Sequence, residues 1–253
     1  MAHARWLGAG GGVRLLVSVV SAAEARLALA GGADIIDVKD PREGALGAPS
    51  PTVLSEVVSV VGSAAPVSVA LGDMPNLPHT AALAARGAAL SGADYVKVGL
   101  RGVDNLDGAV AVMNAVQEAV GPQTAVIAAA YADAGALDPP ALSPRLLPEL
   151  VQRTGISGAL VDTCVKDGRG LYGWLSESEL ADLIARTRAA GASFAVAGQL
   201  TRDELCRVKA DIVGVRSAVC RDGDRTGELD SELVAAAIAE LRVNGAQAAT
   251  TRG

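Results

Sequence analysis

Gly31-Gly32-Ala33-Asp34-Ile35-Ile36-Asp37-Val38-Lys39 holds a helix end, a tight turn and a buried strand in succession. Glycine closes a helix because it accepts a positive φ just past the last turn. The Ile-Ile-x-Val run is apolar on both faces, as a parallel strand covered by helices on both sides must be. The pattern returns as Ser91-Gly92-Ala93-Asp94-Tyr95-Val96-Lys97-Val98-Gly99, 94 − 34 = 60 positions later, and Lys209-Ala210-Asp211 leads into a last strand in the same way. Such junctions also occur in Rossmann-like folds, so the echo establishes β/α repetition and not closure. Closure rests on the number of units. Candidate strands begin near Arg14, Asp34, Val67, Tyr95, Ala125, Ala159, Ser193 and Ile212, and segments of helical period follow, as at 21–30, 80–90, 105–120 and 177–190. Ser21 with Glu24, and Ser176 with Glu179, have the Ser-x-x-Glu spacing of a capping box. Eight such units in 253 residues predict an α/β protein, a single (β/α)8 TIM barrel, for which about 250 residues is typical. The barrel is expected over 14–243, between flexible tails at 1–13 and 244–253.

Half the residues are apolar and only 2% are aromatic, so Ala, Val, Leu and Ile must build the core. A net charge of −6 argues against a nucleic-acid surface, which would show a basic patch. A local cluster of Lys and Arg could still hold a small anion. Cys164, Cys206 and Cys220 are odd in number and lack metal-ligand spacing, which fits a reduced cytoplasmic setting. No run approaches the roughly 18 apolar residues of a membrane span. The start of the chain only loosely resembles a signal peptide. Its apolar run, Leu15 to Val20, is short and leads into the helix-start signal at Ser21. No nucleic acid, membrane, metal or cofactor is expected as a partner, and a homo-oligomer is left open.

Lys39 and Lys97 each close an apolar run, and a desolvated, unpaired ammonium costs several kcal/mol. In a β/α barrel the carboxyl ends of the strands carry the chemistry. Side chains alternate along a strand, so Asp37 shares a face with Lys39, and Tyr95 and Gly99 share one with Lys97. Asp162 ends the sixth candidate strand and Arg216 the eighth, so both can join the same layer. Two lysines, two carboxylates and an arginine around one cavity suit imine chemistry: a second cation drives a lysine toward its neutral, nucleophilic form. The competing reading makes Lys39 and Lys97 structural ion pairs at the barrel mouth. Two such lysines accompanied by Asp37 and Asp162 favour function. Lys166 stands between two aspartates in a loop, where solvation is the ordinary fate. Asp133 reads equally as a helix cap or a proton carrier. Gly198 ends the seventh strand, and Gly214, Arg216 and Ser217 end the eighth, where barrels commonly cradle a phosphate on backbone N–H groups. The long loop from Lys39 to Pro49 could cover the site or contact a second anion through Gly44, Gly47 and Ala48, or be a rigid turn set by its prolines. His3 and His79 lie in a tail and a Pro-rich loop, so no histidine base is expected. Cys164 beside Asp162 could serve as a nucleophile, but it reads rather as a buried structural thiol.

Taken together, residues 15–18, 31–39, 43–48 and 91–100 resemble the (5-formylfuran-3-yl)methyl phosphate synthase family of the methanofuran pathway, also called 4-(hydroxymethyl)-2-furancarboxaldehyde-phosphate synthase. Tyr131-Ala132-Asp133, Asp162-Thr163, Lys166-Asp167-Gly168, Ala197-Gly198 and residues 211–216 extend the likeness over roughly 15–241. The resemblance implies a barrel lyase that condenses two molecules of glyceraldehyde 3-phosphate, a triose phosphate, with release of phosphate and water. It implies a Schiff base on Lys39, a proton acceptor at Lys97, and Asp37, Asp162 and Lys166 in the same site. Departures from the family fall at Asp40, around 76–79 and at Cys164, and the loop near His79 bears on substrate fit. A class I aldolase on other phosphosugars and a non-catalytic phosphosugar-binding barrel are the alternatives.

Overall fold

Eight parallel strands close on themselves in sequence order. They are β1 Arg14–Val19, β2 Ile35–Val38, β3 Val67–Asp73, β4 Tyr95–Gly99, β5 Ala125–Tyr131, β6 Gly158–Asp162, β7 Ser193–Val196 and β8 Ile212–Val215. The computed structural model describes residues 12–250, with side chains through residue 242. The strands are wrapped by α1 Ala22–Ala30, α2 Pro51–Val61, α3 Pro78–Leu90, α4 Leu106–Val120, α5 Leu147–Thr154, α6 Glu177–Ala189, the single turn α7 Arg202–Leu205, and α8 Ser231–Thr250. The barrel expected from the sequence is present. Its seam joins β1 to β8, with Leu16 opposite Gly214. Most of the proposed N-terminal tail lies outside the described residues, and α8 runs past the boundary drawn at 244. Among the described residues no helix is long and apolar enough to cross a membrane.

Alternation along the strands sorts the core into two layers. Leu15, Val17, Ile36, Val96, Val126, Val161 and Val213 point outward against the helices. Leu16, Ile35, Tyr95, Ile127, Leu160 and Ile212 fill the barrel. Towards the carboxyl end the inward residues become small, with Ala129, Ala195 and Ala197, and the barrel opens there.

The echoed Asp does more than follow a turn. At the amino end of the barrel the Asp34 N–H donates to Leu15 O at 3.0 Å, while its carboxylate accepts from Leu15 N–H at 2.8 Å. Asp94 clamps Val67 on β3 in the same two ways, and Asp211 clamps Phe194 on β7. Each clamp satisfies a strand-start N–H that would otherwise lack a partner in the sheet, and it fixes β1/β2, β3/β4 and β7/β8 in register. Between β3 and β4 the register shifts after Ala70, so that Asp73 lies opposite Gly99. A Cβ at position 99 would come within 2.2 Å of Asp73 Oδ1. Any larger residue at Gly99 would have to displace the Asp73 carboxylate.

The two capping signals divide. Ser176 and Glu179 form the full reciprocal box at the start of α6. Ser21 accepts from Glu24 N–H at 3.3 Å, but the Glu24 carboxylate turns away to Val20 N–H and to Arg216. A buried guanidinium outcompetes the cap.

Candidate active site

A cavity of about 260 Å³ opens at the carboxyl end of the barrel, and Asp37, Lys39, Lys97, Asp162 and Lys166 all line it. Strand ends deliver them. Asp37 sits inside β2, Lys39 just past it, Lys97 in β4 and Asp162 at the end of β6. Lys166 reaches back from the loop that follows.

The two carboxylates hold different lysines. Lys97 Nζ donates to Asp37 Oδ2 at 2.7 Å, in a pair whose side chains are only 4% and 0% exposed. Ser18 Oγ donates to the same oxygen at 3.0 Å. Asp37 Oδ1 is buried with no hydrogen-bond partner among the described residues, which leaves an acceptor open toward a ligand. Lys166 Nζ donates to Asp162 Oδ1 at 2.8 Å and to Thr163 Oγ1 at 3.1 Å. Burial alone would raise the Asp162 carboxyl. The Lys166 and Lys39 ammoniums and the Thr163 N–H outweigh it and hold the group below its usual range. Lys166 is therefore engaged in the site, not solvated as a loop lysine usually is.

Lys39 is left almost without a partner. Its closest acceptor is Ala45 O at 3.5 Å, a weak contact. Burial pushes its ammonium down from 10.5 to about 8; the nearby Asp162 and Asp37 charges oppose the fall, and Lys97 and Lys166 reinforce it. At that value roughly one amine in ten is neutral at pH 7, against fewer than one in a thousand at the ordinary value. Lys39 is thus the amine best prepared to attack a carbonyl.

Gly198, Gly214 and Ser217 line the same cavity beside Gln199 and Ala218. Among the described residues, no loop hydrogen bond uses the N–H of Gly198, Gln199, Ser217 or Ala218 as its donor. Gly198 has φ of 112°, and Gln199 one of 51°, rare for a side-chain-bearing residue. Gln199 Oε1 is buried without a hydrogen-bond partner among the described residues. Strain and unpaired polar atoms in one short loop are typical of a ligand clamp.

Four expected site residues sit differently. Arg216 lines the cavity, but all five of its N–H groups are taken. Nε donates to Arg225 O, Nη1 to Ser18 O and Glu24 Oε2, and Nη2 to Glu24 Oε1 and Gly227 O. It braces the rim and has no donor left for a phosphate. The Asp133 carboxylate accepts from the N–H groups of Cys164 and Val165, both at 2.8 Å. It ties down the β6 loop and caps no helix by its side chain. Gly47 lets the chain pass close to itself, since a Cβ there would meet Asp40 O at 2.1 Å. Gly44 turns its carbonyl to Arg225 at 3.3 Å. Both glycines shape the β2 loop and lie outside the cavity lining.

Sequence reasoning missed Arg225, which lines the cavity from the loop after β8. It also missed a pair at the mouth, where Tyr131 OH donates to Asp73 Oδ1 at 2.6 Å. Burial raises both groups, and Asp73 adds to the rise at Tyr131. Cys164 is half-buried, and burial pushes its thiol up despite Arg101, which suits an inert sulfur.

The family model for 4-HFC-P synthase matches residues 15–238, which spans every strand of the barrel and every residue of this site. The chain belongs to the 4-HFC-P synthase family. Relatives named (5-formylfuran-3-yl)methyl phosphate synthase include one from Methanocaldococcus jannaschii, 43% identical over 87% of this chain and 96% of the relative. Another, from Methanopyrus kandleri, is 45% identical over 87% and 95%. A third, from Methanosarcina mazei, is 41% identical over 91% of this chain and 100% of the relative. With synthases as its relatives across nearly their whole length, this family member is an enzyme. Solved structures share its barrel alone. Phosphoribosyl anthranilate isomerase from Thermotoga maritima superimposes with a TM-score of 0.64 at 15% identity, over 91% of this chain and 99% of that one. KGPDC from Streptococcus mutans gives 0.59 at 14%, over 92% and 98%.

Proposed function

We propose that this 4-HFC-P synthase family member condenses two molecules of glyceraldehyde 3-phosphate into (5-formylfuran-3-yl)methyl phosphate through a Schiff base on Lys39. The observation that carries the reading is the state of Lys39. It is an amine brought down to about 8, held in a cavity with the Asp37 and Asp162 carboxylates and two further lysines. The name shared by the relatives supplies the product class.

The steps follow from the chemistry that links two trioses to the furan. Neutral Lys39 attacks the carbonyl carbon of one triose, a C–N bond forms and water leaves. Loss of a carbon-bound proton turns the imine into an enamine, which expels the C3 phosphate and leaves a phosphate-free enol bound to Lys39. The terminal carbon of that enol attacks C2 of the second triose, first isomerised to its ketose, forming the new C–C bond. Hydrolysis of the imine, ring closure and loss of two waters then give the aromatic furan. Two trioses yield one product, one inorganic phosphate and two waters, so no redox partner is needed. Lys97, passing its own proton to the Asp37 carboxylate, accepts and later returns the carbon-bound proton. Asp162 and Lys166 face Lys39 from β6, where they can exchange protons with the leaving hydroxyls.

The test is borohydride reduction in the presence of glyceraldehyde 3-phosphate, followed by peptide mass analysis and by product absorbance. The expected result is a triose adduct on Lys39 and a conjugated aldehyde chromophore. An adduct with only an aldol product would make the protein an aldolase. No adduct at all would reduce it to a binding barrel.

A further inference from the structure

The condensation steps use Lys39, Lys97, Asp37, Asp162 and Lys166, and leave idle the hydrogen-bonded couple of Asp73 and Tyr131. The fold takes a detour to put a carboxylate there. Ala70 lies opposite Lys97, so a regular β3 would set Gly72 opposite Gly99. One extra residue, with Gly72 at φ of 87°, sets Asp73 there instead. Bulges of this kind re-aim a side chain beside a site. Gly99 shares the inward face of β4 with Lys97, and Asp73 Oδ1 lies where a Cβ at Gly99 would be. Tyr131 OH closes on that oxygen at 2.6 Å from the end of β5.

The couple runs from the rim towards the cavity. Asp73 is half-buried, while Tyr131 and Asp162 are buried. Tyr131 and Asp162 are register partners on β5 and β6, so their side chains leave one face of the sheet about 5 Å apart. Asp162 accepts from Lys166 and from Thr163 N–H through Oδ1, and among the described residues no protein donor engages its Oδ2. Two other polar groups face the couple. Arg101 opposes the rise at Asp73, and Cys164 adds to that at Tyr131, as Asp162 does. A guanidinium does not give up its proton, and burial holds the Cys164 thiol protonated, so neither competes as a carrier. With substrate in the cavity, bulk water no longer reaches Asp162 through it. Yet each furan sheds two waters, whose oxygens need protons as they leave.

We propose that Asp73 and Tyr131 carry protons from solvent to Asp162 during the dehydration steps. In one passage the proton of a protonated Asp73 moves to the Tyr131 oxygen, and the phenol passes its own proton to Asp162 Oδ2. Asp73 ends ionised, Asp162 ends protonated and the phenol is restored. Asp162 gives its proton to a departing hydroxyl, which leaves as water, and Asp73 takes another from solvent. Burial favours the loaded state, because it raises the Asp73 carboxyl. Both residues act through Asp162 and not on the substrate, so they are positioning residues. This relay rests on the condensation reading above and adds to it the supply of protons.

Three variants test it. Tyr131→Phe keeps the ring and removes the hydroxyl. Asp73→Asn keeps an acceptor for Tyr131 and removes the proton. Asp73→Ala opens room at the rim for a small acid. Each should lower kcat for furan formation roughly tenfold or more, at or below the 10²–10⁴ that general acid–base catalysis supplies. KM and borohydride trapping on Lys39 should stay near the parent values. Added formate should restore much of the rate in Asp73→Ala and none in Asp73→Asn, a response that a packing defect would not give. A parent-level kcat in any variant overturns the relay, as does a formate-blind Asp73→Ala or a loss of trapping in step with kcat. Absence of furan formation in the parent chain would instead remove the condensation reading. Carbon-13 NMR of the aspartate carboxyls would still judge the couple. Losing the Tyr131 hydrogen bond should raise the Asp73 titration, and an unmoved titration overturns the relay.

Discussion

Aspartates at the two ends of the barrel do opposite jobs, although Asp34 and Asp37 stand three positions apart at one strand. At the amino end Asp34, Asp94 and Asp211 each give their carboxylate to a backbone N–H of the preceding strand. At the carboxyl end Asp37 and Asp162 hold ammonium groups instead. The difference comes from what each end leaves unpaired. Parallel strands begin with N–H groups that need acceptors, and a carboxylate there completes the sheet. At the other end the inward residues are small, a cavity forms, and the carboxylates meet side chains from other strands. Residue type alone does not assign the role. Position along the strand does.

The largest test of this division is Lys39→Met. It should eliminate the trapped adduct and lower kcat/KM by roughly four orders of magnitude or more, with the unfolding transition in place. Near-normal turnover would place the chemistry elsewhere. Lys97→Met should lower kcat by about two to four orders while trapping persists. It also strands Asp37 in the core, so urea unfolding should register a loss of about 3–5 kcal/mol.

The pH dependence sharpens the same contrast. Below about 8 Lys39 is mostly protonated and cannot attack, so the rate of trapping should rise with pH and level off above that value. Lys97 helps to lower Lys39, and removing it also leaves the Asp37 charge bare. Both changes favour the ammonium, so the inflection in Lys97→Met should move upward. An unmoved inflection would mean that burial alone sets the Lys39 amine. The smallest effect belongs to the other end of the barrel. Asp94→Ala should cost about 1–3 kcal/mol of stability in urea by stranding the Val67 N–H, with kcat close to the parent value. A fall in kcat comparable to that of Lys97→Met would erase the distinction between the two ends.

Much of this was legible in the chain itself, for identifiable reasons. Lys39 and Lys97 stand out because charge is conspicuous inside an apolar strand, and strand alternation places Asp37 beside them. The repeated Gly-Ala-Asp located the junctions, but the clamp it forms was not visible, since its partners are backbone groups 19 and 27 residues away. Arg216 was misjudged because an arginine at the end of β8 looks like an anion ligand. Its donors are instead engaged by a glutamate 192 residues earlier and by backbone carbonyls of Ser18, Arg225 and Gly227, none of which a sequence pattern marks. Arg225 and the Asp73–Tyr131 pair gave no signal, because a loop arginine and two residues 58 apart carry no periodicity to read. Asp133 was left between two roles, and tying down the β6 loop was neither of them.

The guanidinium that links Ser18, Glu24, Arg225 and Gly227 has a consequence for how the enzyme comes into being. A ribosome makes the first helix long before it makes position 216, so the upper rim of the seam stays open until nearly the whole chain has emerged. A nascent chain halted before that point would carry Lys39 without a finished pocket around it. Competence to do chemistry should therefore arrive late and all at once, when the last strand closes the ring.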